Sequence, residues 1–464
     1  MPRELVSDET IVTVESFWQT LPVRARIRPA SSFTRARFHG TNPVHPAKNH
    51  PTSAQRVCYH EFADLSDFLF ALLMPHSPPE STDMCSRRKC RPVCLFQSLA
   101  KMGWIAVVAV MGLLTASAQP AIACTVMRLN IHGQLVIARN HDWPFGEALV
   151  ITNLRGIEKT SLAPIKPATW TSKYGSVSFC QFGREIPFAG MNEKGLTVDL
   201  LRLPQATFPD PVKVEADPEL TAVNAIQWVQ YQLDTAETVA EVVDSLSTVV
   251  PIPMLPMVET VHYFVTDARG DVAVVEFING KAVVRHGDDY CMDDGNPKTR
   301  TCVLANSSWE DSQTNQANNT SLLRYDRGIR LVELANDLGD QQAPIEYAHR
   351  CLQIVAQGPL TQWNLVYLPE QRRIHFRTQT SPQQRWIDLD DLSFESDQPP
   401  QAIDIDQDIQ GDVASHMNDV THADNERIVN HAFDHFVPAG LPSLVIKQLL
   451  LDYPSKLRGP QTAP

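Results

Sequence analysis

The stretch "CTVMRLNIHGQLVIARNHDW", residues 124–143, reads as two short β-strands, CTVMRLN and QLVIARN, joined at His132-Gly133. Two β-rich runs separated by a two-residue connection that ends in glycine predict a tight hairpin. Cross-strand neighbours in a hairpin lie within side-chain reach. Arg139 and Asp142, at the end of the second strand, are therefore expected beside Cys124, which opens the first. A thiol, a guanidinium and a carboxylate are gathered at one end of one ribbon.

The residues before Cys124 give that thiol further meaning. "MGWIAVVAVMGLLTASAQPAIA", 102–123, has a basic region before it (Arg87, Arg88, Lys89, Arg91 and Lys101), an apolar run from Trp104 to Leu114, and Ala-x-Ala at 121–123. This is the anatomy of a secretory signal. The run falls short of the roughly 20 residues that span a bilayer comfortably. Cleavage after Ala123 makes Cys124 the first residue, carrying a thiol and a free α-amine together. Such an amine titrates near ~7.7–8.0 and can take the thiol proton, so one residue supplies nucleophile and base. The rival is lipid attachment, since a cysteine directly after a signal is also the bacterial lipoprotein anchor. That pattern prefers Leu three residues before the cysteine, where this chain has Ala121.

A signal starting near residue 102 makes Met102 or Met84 the natural initiator, and residues 1–101 read as an upstream extension outside the working protein. That segment holds 13 Lys and Arg against 9 Asp and Glu. Removing its +4 from the overall −13 leaves the remainder near −17. An acidic body repels a phosphate backbone and argues against nucleic-acid binding. Of the nine cysteines, those at 85, 90 and 94 match no common zinc spacing. In the mature chain Cys180, Cys291, Cys302 and Cys351 accompany Cys124. An oxidising compartment pairs such residues, Cys291 with Cys302 for example, or they stay buried and free.

Downstream, EALVITN (147–153), SVSFCQF (176–182), GLTVDLLRL (195–203), VHYFVTD (261–267), DVAVVEF (271–277), KAVVRHG (281–287) and TCVLANS (301–307) carry strand patterning. TAVNAIQWVQYQL (221–233) reads as a helix with Val223, Ile226, Trp228 and Val229 on one face, and Thr235 as the cap of a second, AETVAEVVDSL (236–246). A further helix covers Arg324 to Leu334, and QWNLVYLPEQRRIHFRT (362–378) is a late hairpin. The acidic stretch 386–424 reads as a loose arm before a last helix at 425–451. Hairpins rather than β-α-β units predict an α+β fold, antiparallel sheets covered by helices, in one domain over 124–464.

Six pieces stand in order: CT at 124–125, RNHDW at 139–143, FAGMNEKGL at 188–196, VHYFVTDARGDVAVVEF at 261–277, LANS at 304–307 and LLRYDR at 322–327. On these the chain resembles the choloylglycine hydrolase and penicillin V acylase family, N-terminal-nucleophile hydrolases of linear amides, over about 124–395. The resemblance implies a four-layer αββα sandwich of two antiparallel sheets, and no metal or organic cofactor. It implies Cys124 as nucleophile with its own amine as acid and base, Arg139 supporting the thiolate, Asp142 anchoring the amine, Asn306 as oxyanion donor and Arg324 as brace. Where many members have Asn or Tyr, this chain has Arg202, or Leu201 if the register slips by one. The expected partner is a small amide, of penicillin V, conjugated bile acid or N-acyl homoserine lactone type. Its acyl group is expected in a pocket formed after Trp143, Phe188 and Met257. A periplasmic or secreted location is expected, with membrane contact only through the signal. A homo-oligomer, tetramer or dimer, is also implied, and the short interval from Asn306 to Arg324 leaves open which.

Overall fold

A computed structural model describes residues 124–256, 259–287, 291, 300–308, 320–335 and 343–459. The signal-like stretch 102–123, the segment 1–101 with its cysteines, and Met257 lie outside the described residues. The opening hairpin is as expected: β1 (Thr125–Ile131) pairs with β2 (Gln134–Asp142), with Thr125 opposite Asn140 and Ile131 opposite Gln134. His132 and Gly133 both adopt positive φ, 54° and 80°, the two-residue turn whose twist suits the flanking strands.

The hairpin sits inside a seven-stranded sheet. Cys302–Leu304 borders β1, and Thr361–Leu368 borders β2. Arg373–Thr378, Arg385–Asp388 and Gly411–Asp412 complete it. A nine-stranded antiparallel sheet runs from Lys281–His286 at one edge, through Thr197–Arg202 and Pro187–Asn192, to Gln401–Asp404 and Asn418–Asp419 at the other.

Alternation along β1 and β2 explains the layering. Val126, Leu135 and Ile137 point between the sheets, where they join Phe179, Met191 and Phe264 of the second sheet. Met127, Leu129, Ile131 and Val136 point the other way, onto helices Thr320–Ala335 and Pro344–Ile354. Helices Trp228–Thr235 and Val239–Ser245, with a C-terminal helical pair, cover the outer face of the second sheet. The order is helix, sheet, sheet, helix. Each large apolar side chain buried in these layers contributes about 1.5–3 kcal/mol, which favours this register over a slip that would turn the same residues outward.

Four local expectations are corrected. The helix expected over 221–233 starts only at Trp228, because Thr221–Asn224 is a strand paired with Val249–Ile252. The Asn224 carboxamide oxygen accepts from the backbone N–H groups of Ile226 and Gln227 and ends that strand, although Val223, Ile226, Trp228 and Val229 are all buried as expected. The next helix is capped by Thr238, whose side chain accepts from Glu241 N–H; the Thr235 hydroxyl donates instead to Tyr231 C=O. The arm expected to be loose over 386–424 adds strands to both sheets, and the single last helix is two, His422–His435 and Leu441–Asp452, divided at Pro438 and Gly440.

Candidate active site

Cys124 stands at the mouth of the hairpin, only 4% exposed. Its thiol donates weakly to the Asp142 carbonyl at 4.0 Å. Burial pushes the thiol pKa up, Arg139 and Arg324 pull it down, and the Asp142 charge adds to the rise. The register of β1 with Cys302–Leu304 sets Val126 opposite Leu304, and the buried Asn306 follows two residues beyond that strand.

Arg139 crosses from one sheet to the other. Its Nε lies 3.3 Å from Asp199 Oδ1, and its Nη2 donates to Leu200 C=O at 2.9 Å. Tyr367 donates its hydroxyl to the same Asp199 oxygen at 3.1 Å. Burial pushes the Asp199 carboxyl up to about 7, against the pull of Arg139 and of that hydrogen bond. Asp199 is the lone charge in Thr-Val-Asp-Leu-Leu, the one sequence signal for it.

Asp142 is held by side chains from two elements, the strand Thr361–Leu368 and the helix Thr320–Ala335. Its Oδ1 accepts from the Thr361 hydroxyl at 2.5 Å, and its Oδ2 lies 3.5 Å from Arg324 Nη1. Oδ2 is buried and accepts no hydrogen bond among the described residues. Burial pushes this carboxyl up to about 6, while Thr361, Arg324 and Arg139 pull it down. Arg324, from helix Thr320–Ala335, also donates to Thr125 Oγ1 at 2.9 Å and to Cys124 C=O at 3.2 Å. Burial lowers the Arg324 pKa.

His141, one residue beyond the Thr125–Asn140 pair and itself paired with Trp363, is fully engaged. Its Nε2 lies 2.9 Å from Gln181 Oε1, its Nδ1 lies 3.3 Å from Arg139 Nη2, and its ring stacks on Trp363 at 3.8 Å. Gln181 donates its Nε2 to Phe145 C=O, so its oxygen must face the imidazole. Nε2 is then the protonated nitrogen and Nδ1 the acceptor. Burial and Arg139 hold the ring pKa well below its usual value.

An apolar pocket opens at Cys124. Trp143 and Phe188 line it as expected, and Arg202 lines it while Leu201 packs between the sheets. Met254 and Leu255 come from the loop that leads to Met257. Sequence reading missed Phe433, Phe436, Ile446 and Leu450, which the C-terminal helices bring in from the far end of the chain. One buried acid sits in the wall. Glu259 accepts from Asn224 Nδ2 at 2.7 Å and from Leu255 N–H at 2.9 Å, and burial pushes its carboxyl up to about 7. The expected residues Cys124, Arg139, Asp142 and Arg324 thus converge, and Asn306 is buried just beyond the strand that borders β1. Among the described residues no group of three or more His, Cys, Asp or Glu is arranged to hold a metal ion.

Residues 124–357 match the family of linear amide C–N hydrolases described as the choloylglycine hydrolase family. The chain belongs to that family. A penicillin V acylase of Pectobacterium atrosepticum is 27% identical over 325 residues, taking in 61% of this chain and 85% of the relative. The structure of a penicillin V acylase from Agrobacterium tumefaciens superposes with a TM-score of 0.52 at 24% identity, over 64% of this chain and 98% of that one. A conjugated bile acid hydrolase from Clostridium perfringens gives a TM-score of 0.47 at 20% identity, over 61% and 97%. This choloylglycine hydrolase family member is therefore a hydrolase of linear amide carbon–nitrogen bonds with the αββα architecture expected of it.

Proposed function

We propose that this family member is exported, that removal of the chain up to Ala123 frees the amine of Cys124, and that the Cys124 thiolate cleaves an apolar acyl amide through a thioester. One observation carries the reading: Arg139, Asp142 and Arg324 surround a buried thiol at the mouth of an apolar pocket.

The state of His141 supports the amine as base. Its Nδ1 accepts from Arg139 and its Nε2 faces Gln181, so it has no lone pair to offer the thiol. A freed amine would find Asp142 Oδ2 without a hydrogen-bond donor among the described residues. As an ammonium it places positive charge beside the sulfur and lowers the thiol pKa; as an amine it accepts the thiol proton. The thiolate then attacks the carbonyl carbon, and the oxyanion forms near the Asn306 carboxamide. The carbon–nitrogen bond breaks as the ammonium returns its proton to the leaving nitrogen. Water, deprotonated by the same amine, attacks the thioester, and the released sulfur is reprotonated.

Two further observations support export and argue against lipid attachment. Cys291 and Cys302 form a disulfide, which fits an oxidising compartment such as the periplasm or the exterior. A thiol 4% exposed in the fold offers no route for a thioether lipid to reach a bilayer. Penicillin V, conjugated bile acids and N-acyl homoserine lactones are the substrate classes to assay, since each joins an apolar acyl group to an amide. Intact-mass measurement and N-terminal sequencing of active protein test the proposal. A chain starting at Cys124 without added acyl mass, inactive as Cys124→Ala, is expected; active protein with any other first residue defeats it.

A further inference from the structure

We infer that Thr361 is a positioning residue for the reaction: its hydroxyl is locked as a donor to Asp142 and so aims the second carboxylate oxygen at the Cys124 nitrogen. The inference rests on the proposed role of Cys124 and its amine.

The lock is a matter of donor count. Thr361 Oγ1 accepts from Gln357 N–H at 2.7 Å and lies 2.5 Å from Asp142 Oδ1. A backbone N–H only donates, so the hydroxyl's one proton must point the other way, at Oδ1. That oxygen is thereby fixed as an acceptor, and Oδ2 is left for Arg324 and for a donor from Cys124. Local structure sets this up. A β-bulge between Thr361 and Trp363 shifts the register against β2 and puts Thr361 opposite Asp142. The turn that supplies Gln357 N–H needs Gly358, whose φ of +57° is left-handed.

The groups facing Asp142 are Arg324 from helix Thr320–Ala335, Arg139 from its own strand, Cys124 just before β1 and Thr361 itself. Thr361 carries no charge in any protonation state, so its removal changes hydrogen bonding without changing charge. It is absent from the lining of the apolar pocket, which separates orientation from substrate binding.

The experiment compares Thr361→Val and Thr361→Ser in the mature enzyme. The valine variant should lose roughly tenfold to a hundredfold in kcat, the worth of a hydrogen bond to a charged group, with KM within about twofold. Because the hydroxyl holds the Asp142 pKa down, the acidic limb of its pH profile should move to higher pH. Serine should restore both the rate and the limb. Thr361→Ala gives the same readout should valine fail to fold. A valine or alanine variant with parental kcat and an unmoved limb overturns the inference, as does a serine variant that behaves like valine. Failure of the underlying reading shows elsewhere, as turnover by Cys124→Ala.

Discussion

Arg139 and Asp199 join the two sheets at a point where neither side chain touches solvent, Nε to Oδ1 at 3.3 Å. The contact positions the guanidinium that acts on the Cys124 thiol, so the site depends on how the sheets are stacked. Asp199→Ala leaves a buried guanidinium without its carboxylate. Denaturant unfolding should show a loss of about 3–5 kcal/mol, the cost of breaking a buried pair from one side. Parental stability in this variant would mean that the pair contributes nothing to holding the sheets together.

Activity should fall as pH drops through about 6, where Asp142 takes up a proton and can no longer pair with a cation. Stability should run the opposite way through the same group. Its folded pKa lies above the unfolded value of 3.8, so the folded chain holds that proton more tightly. The contribution is fully present below about pH 4 and is lost as pH rises through about 6. Urea midpoints of the parent and Asp142→Asn across pH 4 to 8 measure this; a constant difference between them would contradict it.

Arg202 lines the apolar pocket, and its Nε is buried without a hydrogen-bond partner among the described residues. A substrate carboxylate or lactone oxygen is the natural acceptor. Arg202→Ala should raise KM by about tenfold or more for an amide that bears a carboxylate, the range of a charge-assisted hydrogen bond. Unchanged KM for penicillin V, conjugated bile acid and N-acyl homoserine lactone together would leave the residue without a role in binding.

Phe436 packs against Trp143 with ring centroids 4.5 Å apart, closing one side of the pocket. Phe436→Ala should raise KM several-fold for long or aromatic acyl groups and leave short acyl groups little affected, since the lost surface is apolar. Steady-state kinetics over a series of acyl lengths is the measurement. A uniform change across the series would show that this wall does not sort acyl groups.

The core of the site was legible because it is local. Cys124, Arg139 and Asp142 belong to one hairpin, and a hairpin with a His-Gly turn states its own register. Arg324 and Asn306 came only with the family resemblance, because nothing near them in sequence says which strand they face. Asp199, Tyr367 and Thr361 were missed for a related reason. Asp199 reaches Arg139 through sheet stacking and Thr361 reaches Asp142 through a bulged pairing 219 residues away in sequence. Periodicity likewise read 221–233 as one helix, since buried residues at helical spacing occur equally in a short strand followed by a turn. At 386–424 the acidic and Pro-rich composition hid pieces of two to four residues that pair at sheet edges.

The pocket brings Cys124 together with the paired helices His422–His435 and Leu441–Asp452 from a distant stretch of the chain. One wall of the pocket is consequently encoded far from the hairpin that carries Arg139 and Asp142. Exchange of this pair of helices between relatives offers a means to reshape one wall of the pocket while the Cys124 sulfur keeps Arg139, Asp142 and Arg324 around it.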